Sequence, residues 1–262
     1  MQVLDPGLDT ERFFAGLASA QARVLLLDYD GTLAPFRVER DQAAPYSGVR
    51  DALAAMLQAG HTRLVVISGR KASELPGLLR LTPQPEIWGT HGWERLRPDG
   101  AYSSPQLDTR VAAGLAAARA WADWQGLAGQ LEEKPASVAL HWRGLPPELI
   151  AELRAAALAC WSALVPAGLE IHSFDGGIEL RVPGRDKGFA VRTILGETRP
   201  DAASIAYLGD DLTDEDAFAA LAGRGLGILV RAELRPTKAA LWLRPPEELI
   251  AFLWRWQRAC LG

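Results

Sequence analysis

Four short runs of Val, Ile and Leu, none alternating with polar residues, dominate the chain: RVLLLDYD at 23–30, RLVVISGR at 63–70, SIAYLGDD at 204–211 and LGILV at 226–230. A strand with one face in water alternates, whereas a strand covered on both faces does not. The runs therefore predict a parallel sheet with helices on both sides. Between the first two runs, SGVRDALAAMLQAG carries apolar residues three and four apart, with Ser47 placed to cap a helix and Gly60 to end it. That makes a β-α-β unit. The tail RPPEELIAFLWRWQRACLG reads as a last amphipathic helix entered through prolines.

The middle of the chain has a different texture. TRVAAGLAAARAWADWQ predicts a helix, and SVALHWR alternates, with Val138, Leu140 and Trp142 on one face and Ala139, His141 and Arg143 on the other. A further helix is predicted at about 147–164. LEIHSFDGGIELRV then gives two strands around an Asp175-Gly176 turn. A helix and antiparallel strands set into a parallel α/β pattern predict a second domain carried on the first. The expected division is 1–99 with 182–262 for the core and 100–181 for the insertion.

Composition excludes several classes. With 262 residues, 48% hydrophobic and 23% charged, the chain can bury one large core or two modest ones. A net charge of -4 and the lack of a Lys/Arg-rich block leave no footprint for nucleic acid. The two cysteines, Cys160 and Cys260, fit neither a metal-ligand spacing nor a disulfide framework, which suits a reducing compartment. The first residues carry acids and a proline in place of a basic, then apolar, leader, and no apolar stretch reaches roughly 18 residues. A cytoplasmic protein without a membrane partner, and a monomer, are expected.

The strong runs end in groups that bind ions or phosphate: Asp28 and Asp30, then Ser68 and Gly69, then Asp210 and Asp211. In an open parallel sheet the carboxyl ends of the strands border one crevice, so these groups should converge. Asp28 and Asp30, two apart, face the same way if the strand continues. Carboxylates crowded together resist ionisation unless a cation relieves them. Oxygen donors without nearby Cys or His favour Mg²⁺, which keeps open positions for water or substrate phosphate oxygens. Acids thus predict a metal, and the metal predicts an anionic substrate. One carboxylate can attack phosphorus while the other acts as general acid and then as base, but spacing alone does not say which. Ser68, with backbone N–H groups near Gly69, can hold a phosphate oxygen, and Lys187 supplies positive charge at a helix start.

DYDGTLAPF resembles the first signature of the haloacid-dehalogenase-like phosphohydrolases, with VVISGR, Lys187 and GDDLTDEDAF following as the second to fourth motifs in order. The resemblance implies that Asp28 is the nucleophile, Asp30 the general acid/base, and Ser68 and Lys187 phosphate ligands. It also implies that Asp210 joins Asp28 and the Asp30 carbonyl around Mg²⁺. Because Mg²⁺ keeps waters, Asp211 is a further candidate ligand, direct or through water, and Asp214 one through water. GTHGWE, LEEKPASVALHWR and GGIELRVPGRDKGFA are similar to the trehalose-6-phosphate phosphatase branch, which carries an inserted α/β cap on a Rossmann-like parallel-sheet core. By that likeness Glu132, Lys134 and Glu179 reach the sugar hydroxyls, with His91, Glu94 and Arg143 as further contacts; Gly69 and Arg70, beside Ser68, are also expected to line the substrate. Pro135, directly after Lys134, departs from the pattern and bears on how that lysine is aimed. The implied activity is Mg²⁺-dependent hydrolysis of trehalose 6-phosphate through an aspartyl-phosphate, a step of trehalose biosynthesis. With no glycosyltransferase-like segment in front, a stand-alone enzyme is expected. A phosphatase for sucrose 6-phosphate or another small sugar phosphate, and a non-catalytic sugar-phosphate-binding protein, are the alternatives.

Plainer readings stand beside these. Thr213 can cap a helix with Asp214, Glu215 and Asp216 in its first turn. Ser68 can cap a helix starting at Arg70, with Arg70 itself at the surface or behind the phosphate ligands. His91 and His141 can be structural, His61 and His172 have no motif, and Glu132, Glu133 and Lys134 can be a charged strand edge.

Overall fold

The apolar runs lie side by side. Strands Ala203–Gly209, Ala22–Leu27 and Arg63–Ile67 pair in parallel, Leu208 opposite Leu27 and Leu27 opposite Val66. The computed structural model describes residues 1–37, 39–142, 144–174, 176–198 and 203–261. Arg143, expected beside the sugar, and Asp175, expected in the hairpin turn, lie outside the described residues. Among the described residues nine strands form this sheet, in the order Gln2–Val3, Leu241–Leu243, Leu226–Val230, Ala203–Gly209, Ala22–Leu27, Arg63–Ile67, Glu86–Gly89, Glu94–Leu96, Tyr102–Ser103. The six from Leu241–Leu243 to Glu86–Gly89 run parallel, and the edge strands are antiparallel to their neighbours.

The absence of alternation has the expected cause. Leu25, Leu27, Leu64, Val66 and Leu208 pack against Leu17, Leu53, Met56, Leu253 and Trp256 from helices Thr10–Ser19, Val49–Ala59 and Glu247–Leu261. Their strand neighbours Val24, Leu26, Val65, Ile67 and Tyr207 pack on the opposite side, with Val191, Ile194, Phe218 and Leu221 from helices Lys187–Glu197 and Glu215–Leu221. Each fully buried leucine contributes about 1.5–3 kcal/mol. Ser47 does not cap. The helix after it starts from Gly48, at φ 89° and without a side-chain cap, while Gly60 ends it at φ 69° as expected.

The chain forms two compact units, Met1–Ser103 with Asp186–Gly262, and Ser104–Arg185. The second unit has a four-stranded antiparallel sheet in the order Leu131–Lys134, Ser137–His141, Gly177–Arg181, Glu170–Phe174. Val138, Leu140, Ile178 and Leu180 face helices Thr109–Trp124 and Pro147–Trp161 through Val111, Leu115, Leu153, Ala157 and Trp161. The helical segment Pro147–Ala167, 21 residues at mean hydropathy 1.4, passes a membrane-span test by length and composition, so the expectation that no apolar stretch is long enough does not hold for it. In this fold Leu153, Ala157 and Trp161 instead pack it onto the sheet, and Pro166 lies within its last, 3₁₀ part.

Candidate active site

The parallel register brings distant acids together. Asp28 N–H donates to Leu208 O at 2.9 Å, so the chain segments carrying Asp28 and Asp210 leave adjacent strands at the same end. Asp28, Asp210 and Asp214 are all buried, and one carboxylate oxygen from each lies within 4.8 Å of the others. The approach needs two glycines. Gly31, at φ 85°, would place a Cβ 2.1 Å from Asp210 Oδ2, and one on Gly209 would lie 2.3 Å from Asp214 Cγ.

Lys187 opens helix Lys187–Glu197 behind Asp186, whose side chain accepts from Phe189 N. This helix start places Lys187 Nζ 2.6 Å from Asp28 Oδ1 and 2.7 Å from Asp214 Oδ1. Burial alone would lower the lysine, but Asp214 and Asp28 outweigh it and hold the ammonium protonated. Asp28 is pushed up to about 7 by burial, against the pull of Lys187. Asp210 rises well above the carboxylate range, first through burial, then through Asp28 and Asp214. Thr32 Oγ1 donates to Asp28 Oδ2 at 3.1 Å. Thr32 belongs to the DYDGT run, where nothing in the sequence marks its hydroxyl as a partner of Asp28.

The three buried carboxylates face one buried ammonium, and all their donor atoms are oxygen. A hard divalent cation fits that donor set and charge. The acids expected around it do not act alike. Asp214 Oδ2 accepts the N–H groups of Asp210 and Asp211 at 3.0 and 2.9 Å, and Oδ1 accepts Tyr207 Oη at 2.5 Å as well as Lys187. Its lone pairs are thus committed within the protein, which makes it chiefly a brace. Asp211 is outside the acid cluster, because its carboxylate caps the 3₁₀ turn Leu212–Asp214 by accepting from Leu212 N at 2.7 Å. Asp211, not Thr213, is the cap.

Asp30 also stands apart from the cluster. Its strand ends at Leu27, so the extended geometry that would aim Asp28 and Asp30 alike is already lost, and Asp30 forms an isolated bridge with Ala34. Arg70 Nε and Nη2 donate to its two oxygens, each at 2.6 Å. Arg70 is buried, not at the surface, and Asp30 more than offsets the burial that would lower its guanidinium. No helix begins at Arg70; the helical turn after the strand is Leu75–Leu79. Ser68 Oγ accepts the Arg70 N–H at 3.1 Å, which leaves the hydroxyl proton to donate elsewhere.

GTHGWE folds onto this loop. His91 N donates to Ser68 O at 3.0 Å and Thr90 N to Arg70 O at 2.7 Å, with Thr90 and His91 both at positive φ. A Cβ on Gly69 would lie 2.6 Å from His91 Nε2, so the imidazole sits against that glycine. Glu94 has both oxygens occupied inside the unit. Thr90 Oγ1 donates to Oε2 at 2.6 Å, Ala72 N to the same atom at 3.2 Å, and Tyr102 Oη to Oε1 at 2.9 Å.

In the inserted unit, Glu132 and Glu179 flank Ala139 in register, on the sheet face opposite the helices. Lys134 Nζ donates to Glu179 Oε1 at 2.9 Å, and Ser137 Oγ donates to the same oxygen at 2.6 Å. Glu132 Oε2 is 2.7 Å from His141 Nε2. Glu179 is 1% exposed, and Lys134 remains paired despite the following Pro135.

Known proteins share this arrangement of chain. The trehalose-phosphatase family model matches residues 26–244. An uncharacterized glycosyl hydrolase of Mycobacterium tuberculosis is 37% identical over 227 residues, 82% of this chain and 16% of that protein. A trehalose-phosphate phosphatase of Mycobacterium marinum is 32% identical over 247 residues, 88% of this chain and 60% of that protein. The chain therefore spans only part of these curated relatives. The solved C-terminal domain of C. albicans trehalose-6-phosphate phosphatase has the same fold, with TM-score 0.81 at 20% identity, covering 98% of this chain and 99% of that one.

Proposed function

We propose that this chain, which belongs to the trehalose-phosphatase family, hydrolyses trehalose 6-phosphate to trehalose and phosphate. The observation that carries the reading is the buried group of Asp28, Asp210 and Asp214 with Lys187, set at the ends of parallel strands. Asp28 and Asp210 would hold Mg²⁺ together with the Asp30 carbonyl, as the family resemblance implies. The bound ion would offset carboxylate–phosphate repulsion and polarise the phosphoryl group.

An Asp28 oxygen attacks phosphorus, the bond to the sugar oxygen breaks, and Asp30 gives that oxygen a proton. Asp30 then takes a proton from water, whose oxygen attacks the aspartyl-phosphate and releases phosphate with Asp28 restored. Both Asp30 oxygens are held by Arg70 in a two-point pair. Protonating the leaving oxygen in the first step requires that pair to loosen. Two of the three Lys187 N–H bonds go to Asp28 and Asp214, and the third can meet a phosphate oxygen, as can the Ser68 hydroxyl proton. The inserted unit is assigned to sugar selection as a cap, with Glu132, Lys134 and Glu179 as the contacts to hydroxyls.

The test is phosphate release from trehalose 6-phosphate, sucrose 6-phosphate and simpler sugar phosphates, with Mg²⁺ and with chelator. Trehalose 6-phosphate is expected to give the highest kcat/KM, and only with Mg²⁺. Preference for another sugar phosphate would change the substrate while keeping the chemistry. Sugar-phosphate binding with no release from any substrate would make the chain a binding protein.

A further inference from the structure

Arg235 sits between strands Leu226–Val230 and Leu241–Leu243, and no sequence motif points to it. Its Nη2 donates to Asp211 O at 2.7 Å and to Asp210 O at 3.3 Å, and its Nε donates to the same Asp210 oxygen at 3.3 Å. Nη1 donates to Glu215 Oε1 at 2.5 Å and to Pro236 O at 2.8 Å. Glu215 fixes the guanidinium from behind and also accepts from Thr237 Oγ1 and Lys238 N, each at 2.8 Å. It is therefore more than a helix-start acid.

The two carbonyls that Arg235 grips belong to the residues whose N–H groups Asp214 holds. The turn that carries the Asp210 carboxylate is thus secured through both its donors and its acceptors. A planar guanidinium can bridge two neighbouring carbonyls with its fork of N–H groups, and an ammonium on a flexible stem cannot reproduce that geometry. A carboxylate that must meet a small, strict cation gains most from such support, because Mg²⁺ tolerates little angular error.

We propose that Arg235, held by Glu215, is a positioning residue for the cation site: it fixes the Asp210–Asp211 turn and so the direction of the Asp210 carboxylate. This rests on the cation site of the proposed function and not on the identity of the sugar. A purely structural staple would cost stability when removed but leave metal affinity alone.

The experiment titrates the full chain with Mn²⁺ alone, counting free ion by electron paramagnetic resonance, and follows thermal unfolding of the same samples. Arg235→Ala is expected to weaken Mn²⁺ by about tenfold or more, the usual cost of losing support behind a ligand. Arg235→Lys should fall between it and the wild type, and Glu215→Gln should shift affinity in the same direction by less. Glu197→Gln, at the opposite end of helix Lys187–Glu197 from Lys187 and bonded to Arg63 and Arg95, serves as a destabilised control and should bind Mn²⁺ as the wild type does. Wild-type affinity in Arg235→Ala and Arg235→Lys, with only a lower Tm, overturns the proposal. If Arg235→Ala does not fold, unchanged affinity in both Arg235→Lys and Glu215→Gln overturns it equally. A wild-type chain that binds Mn²⁺ yet hydrolyses no sugar phosphate defeats the proposed function alone, and the Arg235 assignment is still decided by the affinities.

Discussion

Arg70 holds both carboxylate oxygens of Asp30, Nε on Oδ2 and Nη2 on Oδ1, each at 2.6 Å, and it does so from a side chain only 2% exposed. Such a two-point pair fixes the plane of the carboxylate as well as its place. In the proposed reaction Asp30 serves the leaving oxygen, so Arg70 sets where that carboxyl group is held before the pair loosens to offer its proton.

Replacing Arg70 by Met should therefore harm poor leaving groups most. The expected loss in kcat is on the order of 100-fold for trehalose 6-phosphate, the low end for general acid–base catalysis, and much smaller for p-nitrophenyl phosphate, whose leaving group needs no proton. Arg70→Lys should recover part of the difference. Equal losses on both substrates would assign Arg70 to folding alone, and a thermal melt of each variant shows whether the fold is kept.

Glu179 accepts from Lys134 and Ser137 while 1% exposed, so Glu179→Ala would strip Lys134 of that hydrogen bond and leave Glu132, at 3.8 Å, as its remaining ion-pair contact. Glu179→Gln keeps an acceptor for both donors and is the better probe. It should raise KM for trehalose 6-phosphate about tenfold, the scale of one lost polar contact to a substrate, with little change for p-nitrophenyl phosphate. A parallel change on both substrates would deny Glu179 a role in sugar selection.

Gly31→Ala places a methyl 2.1 Å from Asp210 Oδ2 on a backbone at φ 85°. The left-handed conformation alone costs about 1 kcal/mol for an L side chain, and the contact can be relieved only by moving the Asp210 carboxylate. Turnover and Mn²⁺ binding should both fall steeply while the far side of the sheet, around Leu53 and Trp256, stays folded. Near-normal Mn²⁺ affinity in this variant would remove Asp210 from the cation site.

The runs ending at Leu27, Ile67 and Gly209 were legible because burial on both faces leaves a continuous apolar signal, and the acids beyond two of them marked the site. Strands Glu86–Gly89 and Leu241–Leu243, only four and three residues long, are too short to give that signal. Asp214 could be read as a metal acid but not as a brace, since its partners Tyr207 and Lys187 come from other elements. The sequence marks Arg70 for the site but not its pairing with Asp30, and does not mark Arg235 at all, for the same reason. Their carboxylate and carbonyl partners lie 40 and about 25 residues away in sequence, and nothing in the residues beside them announces the pairing.

A separate test concerns stability. Glu197 accepts from Arg95 Nη1 and Nη2 at 2.6 and 2.8 Å and from Arg63 Nη2 at 2.6 Å. The Arg95 hydrogen bonds, against some burial and with help from Arg63, lower it from 4.5 to about 2. The folded value is the depressed one, so its stabilisation is complete above 4.5 and is lost as pH falls toward 2. Because the side chain is 37% exposed, solvent screening limits the effect to about 0.5–1 kcal/mol. Urea unfolding of wild type and Glu197→Gln should differ by that amount at pH 7 and converge as the pH is lowered below 4.5. A difference that stays constant down to pH 3 would contradict the assignment.

The most direct measurement of the central claim is mass spectrometry of the protein acid-quenched during turnover of trehalose 6-phosphate with Mg²⁺. A phosphoryl group on the peptide containing Asp28, absent in Asp28→Asn along with phosphate release, is the predicted result. A phosphoryl group on a different residue, or wild-type release of phosphate by Asp28→Asn, would contradict it.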